Sequence, residues 1–81
     1  METRVALIGV IVEKLDCSEN LNAILHDYCE YIIGRMGVPY KDKNVSVISI
    51  AVDAPNDVIN ALSGKIGRLN GVSVKTIYSH V

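Results

Sequence analysis

The apolar positions of this chain fall into segments of two different periods. Residues Thr3 to Glu13 (TRVALIGVIVE) are an almost continuous apolar run rich in β-branched side chains, which predicts a strand buried on both faces. A polar turn follows, Lys14 to Ser18, with Ser18 expected as N-cap and Glu19 in the first helical turn. Leu21, Ile24, Leu25, Tyr28 and Ile32 then recur at helical spacing and form one stripe of an amphipathic helix. That helix is expected to fray between Tyr31 and Ile33, because Gly34 discourages its continuation.

Ile32 to Tyr40 (IIGRMGVPY) reads as a poor strand: Gly34 and Gly37 weaken it and Pro39 lacks a ladder donor, which places it on a sheet edge. A polar connection, Lys41 to Asn44, leads into Val45 to Val52 (VSVISIAV), again apolar in both parities. Asp53 is expected to cap a second helix with Pro55 at its start, and Val58, Ile59, Leu62, Ile66 and Leu69 supply its stripe. Asn70-Gly71 is expected to end that helix in a left-handed turn. Val72 to Tyr78 (VSVKTIY) is the last strand.

The order is βαββαβ, and right-handed crossovers put both helices on one sheet face. The expected class is α+β: a ferredoxin-like sandwich with an antiparallel four-stranded sheet in the order 4-1-3-2. The two-sided strands then fall in the centre and the glycine-broken strand on an edge, so pattern and topology agree. The 81 residues suffice for a single domain spanning residues 1–81.

Two helices cover one face of such a sheet. Strand one offers Ala6, Ile8, Val10 and Val12 in one parity and Val5, Leu7, Gly9 and Ile11 in the other. Whichever set meets the helices, the other needs cover, and an open apolar face of that kind marks an interface. The expectation is a homo-oligomer, dimer or tetramer, consistent with a hydrophobic fraction of 49% in a domain too small to be very stable alone.

Charge adds exclusions. Eight Lys+Arg against nine Asp+Glu give a net charge of −1, and the basic residues are scattered, so direct nucleic-acid binding is not expected. The run Val5 to Val12 is too short for a membrane span and no signal pattern precedes it, so a cytoplasmic location is expected.

The soft metal-ligand candidates are Cys17, His26, Cys29 and His80. Cys17 and Cys29 lie twelve positions apart along a helix, roughly 18 Å and out of disulfide reach. His26 and Cys29 share a helical face, but no paired CxxC or HxxxH pattern supports a site. An ordinary half-buried histidine and a structural cysteine are expected, with no metal and no cofactor. His26 and Arg35 are the ligand-binding candidates: Arg35, on the glycine-flanked edge strand, could hold an anion, though a solvated surface arginine is the more ordinary reading. No serine stands in a triad or elbow, Ser63-Gly64-Lys65 lacks the glycine of a P-loop, and Asp53 and Asp57 read as helix-start residues. No catalytic residue is assigned.

Taken whole, the segments METRVALIGVIVE, LNAILHDYCEYIIGRMGVPY and SVISIAVDAPNDVINALSGKIGRLNGVSVKTIYS resemble the small iron-only hydrogenase system regulator proteins of anaerobic bacteria. That family is similar in turn to the ACT-like regulatory domain of nickel-responsive repressors. The resemblance matches His26 to one metal-binding histidine of that domain, whereas Gly37, Pro39 and Val45 occupy the positions of its other three ligands. It therefore implies the fold without the nickel site. The repressor's N-terminal DNA-binding segment is not expected here, since Thr3 already opens the first strand. The loop from Lys14 to Ser18 also lacks the glycine of the usual ACT ligand site.

The resemblance implies a non-enzymatic oligomeric regulator of the iron-only hydrogenase system, sensing a small ligand or metal at a subunit interface, with a separate DNA-binding or hydrogenase-system protein as partner. The alternative is a structural assembly or accessory protein without ligand.

Overall fold

A computed structural model describes residues 2–14 and 18–80. The elements are β1 (Arg4–Val12), α1 (Ser18–Asp27), a 3₁₀ turn (Cys29–Tyr31), β2 (Ile32–Tyr40), β3 (Val45–Ala54), α2 (Asn56–Gly67) and β4 (Val72–Tyr78). The sheet is antiparallel throughout, in the order β2-β3-β1-β4. This is the expected α+β architecture, with the two-sided strands central and β2 on an edge.

Alternation decides which side chains meet the helices. Ala6, Ile8, Val10 and Val12 of β1 are buried, as are Ile48, Ile50, Val52 and Ala54 of β3. Leu21 and Leu25 of α1 and Ile59, Leu62 and Ile66 of α2 close over them in one core. Each of the valine, leucine and isoleucine side chains contributes about 1.5–3 kcal/mol on burial. Tyr28 and Leu69, the flanking members of the two helical stripes, are half-buried against that core. The Lys65 ammonium lies 5.1 Å from the ring centroid of Tyr28 and joins α2 to the end of α1.

Several boundaries differ from expectation. Ser18 is the first helical residue and not the cap; Cys17, which precedes it, lies outside the described residues. α1 stops at Asp27, and the chain tightens into the 3₁₀ turn before β2, because Ile32 is taken up by the ladder opposite Val52. Asp53 does not cap α2: it extends β3 and faces Val5 in register. Pro55 takes the cap position, its carbonyl accepting from the amides of Val58 and Ile59. Gly71 does not end α2, which closes at Gly67. With φ of 79° it makes the left-handed turn into β4 instead.

Candidate functional site

The edge strand β2 carries an irregularity that shapes both surfaces of the sheet. Ile32 faces Val52 and Gly34 faces Ala51, so Ile33 has no partner across the ladder. One extra residue reverses the parity of everything after it. Met36, Val38 and Tyr40 therefore share a face with Ser49, Val47 and Val45, while Arg35, Gly37 and Pro39 fall on the helix side with Ile50, Ile48 and Ser46.

On the helix side this leaves a groove between β2 and α1. Gly37 and Pro39 supply little bulk, and a hollow of about 260 Å³ opens there against Leu21, Asn22 and Ile48. A second hollow of about 340 Å³ adjoins it, lined by Leu25, His26, Cys29 and Ile32. The two meet at Asn22 and Arg35, where the guanidinium donates to the side-chain oxygen of Asn22 at 3.2 Å.

The fold thus brings His26, Cys29 and Arg35 into one groove. His26 and Cys29 are both exposed, not half-buried or structural as expected: His26 lies off the Leu21–Leu25 side of α1, and Cys29 sits in the 3₁₀ turn beyond the end of that helix. They amount to two soft donors. Among the described residues no group of three His, Cys, Asp or Glu side chains could hold a metal ion. His80 follows β4, at the opposite edge of the sheet from β2. The positions matched to nickel ligands do not even share a surface: Gly37 and Pro39 lie on the helix side, whereas Val45 pairs with Tyr40 on the other face. The Ser63 hydroxyl is engaged with that of Thr76 at 2.7 Å, between α2 and β4.

The face without helices is largely apolar on β1, β2 and β3, with Ile77 the apolar contribution of β4. The registers set out its rows: Ile77, Leu7, Ala51 and Gly34; then Lys75, Gly9, Ser49 and Met36; then Ser73, Ile11, Val47 and Val38. Val45 and Tyr40 extend it toward the hairpin. Nine large hydrophobic residues are exposed among the described residues, and all but the bulged Ile33 lie on this face. Their exposures run from 38% at Ile11 to 69% at Ile77, and an open apolar patch of this kind marks an interaction site. Its middle is hollowed where Gly9, Ser49 and Ser73 are small, a depression of about 270 Å³.

With the geometry in view, comparison with known proteins supplies the family. A family model described as "TM1266-like: Iron-only hydrogenase system regulator, putative" matches residues 4–76. The chain belongs to that family. The TM1266-like chain is also similar to a solved member, the uncharacterized protein TM1266 from Thermotoga maritima, with 35% identity and a TM-score of 0.91, covering 95% of this chain and 98% of that one. A formyltetrahydrofolate deformylase from Pseudomonas putida KT2440 shares the fold alone, at 9% identity and a TM-score of 0.65. The match covers 90% of this TM1266-like chain but 28% of the deformylase. No curated protein matches significantly. The family description is that of a regulator. Among the described residues, no helix is long and apolar enough to cross a membrane.

Sequence reasoning did not reach Asn22, which looked like one more polar residue off the helical stripe. It also missed the sidedness of β2, since nothing in IIGRMGVPY announces that Ile33 stands unpaired. The depression at Gly9 did have a signal: the one residue without a side chain in the outward parity of β1.

Proposed function

We propose that the chain is a non-enzymatic regulatory domain of the iron-only hydrogenase system that works as a homo-oligomer and senses a small ligand. The observation that carries this is the open sheet face. Eight large apolar side chains are exposed on it, around a central hollow whose wall also carries Ser49, Ser73 and Lys75, and a patch of that kind marks a subunit interface. A second copy is its natural cover.

The groove under β2, with His26 and Arg35 on its walls, is the ligand site in this reading. β2 links the two functions, since one side of the strand lines the groove and the other contributes Met36, Val38 and Tyr40 to the oligomer face. A ligand that reseats the strand would change the subunit contact, and the oligomer would pass the change to a separate DNA-binding or hydrogenase-system protein. The balanced charge of −1 supports an indirect route to nucleic acid.

Sedimentation velocity of the purified chain at micromolar concentration tests the assembly. A dimer or tetramer is expected, and a stable monomer would overturn the proposal. A thermal-shift screen tests sensing, because a ligand bound by the folded state alone must raise Tm. A flat response across metals and small organic molecules would favour an assembly protein without ligand.

A further inference from the structure

We propose that the groove between α1 and β2 binds a small organic anion, an oxyanion group on a short apolar body, with Arg35 as the oxyanion's ligand. The inference deepens the sensing function above and rests on it.

Its starting point is a mismatch. Arg35 registers with the fully buried Ile50, so it occupies the helix-facing side of β2, yet at this open edge it is exposed. An arginine is stable there only if its head reaches water or a partner. The next two positions on the same side are Gly37 and Pro39, and neither fills the space beside it. The result is a recess with an apolar floor, from Leu21, Leu25 and Ile48, and a polar wall, from Asn22, His26 and Arg35. An apolar cavity with a few convergent polar groups is the usual form of a small-molecule site.

The charge of the described lining is one-sided. No described acidic side chain lines either hollow. Among the described residues the guanidinium's side-chain partner is the neutral Asn22. That contact uses one donor and orients the fork, leaving further N–H groups of the five for a carboxylate or phosphate oxygen. The hollows of about 260 and 340 Å³ suit a ligand about the size of a single ring with its acidic group.

The test is a titration of the full chain followed by amide proton–nitrogen correlation spectra, with benzoate, phenyl phosphate, inorganic phosphate and benzyl alcohol as probes. Benzoate and phenyl phosphate are expected to give saturable shifts at the amides of Asn22, Arg35 and Gly37. Inorganic phosphate and benzyl alcohol are each expected to bind at least about tenfold more weakly. The tighter of the two aromatic anions identifies the acid group. Arg35→Gln should abolish the preference for anions over benzyl alcohol without disturbing the rest of the spectrum, and Arg35→Lys should keep part of it. If benzyl alcohol binds as tightly as benzoate and Arg35→Gln changes nothing, the anion assignment is overturned while the groove remains a ligand site. Should no probe move these amides, or should the shifts map to Leu7 and Ile11 instead, the groove reading falls as well.

Discussion

The amide of Glu13 donates to the carbonyl oxygen of Gly71 at 2.7 Å, tying the chain that leaves β1 to the turn that enters β4. Gly71 sits at φ 79°, and a Cβ placed on it would lie 2.5 Å from Cγ of Lys14. Both the backbone conformation and the space demand glycine. Gly71→Ala should lower stability by about 2 kcal/mol, equivalent to a fall in Tm of roughly 10 °C. Gly34→Ala is the control, since a Cβ there meets nothing within 4 Å. It should leave stability unchanged or raise it by up to about 0.5–1 kcal/mol. Urea denaturation of the two variants checks both outcomes.

At the centre of the sheet, Ile50 is fully buried opposite Ile8, itself fully buried. Ile50→Ala should cost about 2–5 kcal/mol. A domain of this length has only about 5–10 kcal/mol in total, so the variant should lose a large fraction of its stability and unfold at a much lower urea concentration. Ile50→Val should cost about 0.5–1.5 kcal/mol and remain folded. Circular dichroism against urea separates the two.

On the open face, Leu7 lies between Ile77 and Ala51 and is 45% exposed. Leu7→Glu removes no contact with the helix-side core, so the fold and its circular dichroism should be retained. The carboxylate would have to be desolvated in an assembled subunit contact, at a cost of several kcal/mol. The variant should therefore sediment as a monomer at concentrations where the wild type is oligomeric. An unchanged sedimentation coefficient would mean that the subunits meet elsewhere.

The hydroxyls of Ser63 and Thr76 bridge α2 and β4 at 2.7 Å. A double-mutant cycle with Ser63→Ala and Thr76→Val should return a coupling of about 0.5–1.5 kcal/mol. A coupling near zero would indicate that water replaces the lost partner at no cost.

The strands were legible in the sequence because β-branched runs leave little alternative. Val72–Tyr78 and Ile32–Tyr40 agree with expectation at both ends, and the broken second strand falls on the edge that Pro39 requires. The helix boundaries were less legible. Asp53 resembles a cap, but the ladder opposite Val5 claims it first, as tertiary pairing overrides a local preference. The candidate site was legible in its residues and not in its arrangement. His26, Cys29 and Arg35 stood out by chemistry, yet their meeting in one groove depends on the unpaired Ile33. A bulge arises from the register between two strands, which neither strand's own sequence declares.

Ile33 sets a reading frame for the edge strand, counted in side chains. Its removal would make Ile32 opposite Val52 and Gly34 opposite Ala51 consecutive pairs, so Met36, Val38 and Tyr40 would keep the open face and Arg35 the groove. Pairing Ile33 with Ala51, with no residue lost, would instead move every later position by one: Met36, Val38 and Tyr40 would swing beneath the helices and Arg35 would emerge on the open face. One choice of partner for Ala51 therefore sets both surfaces of the strand at once.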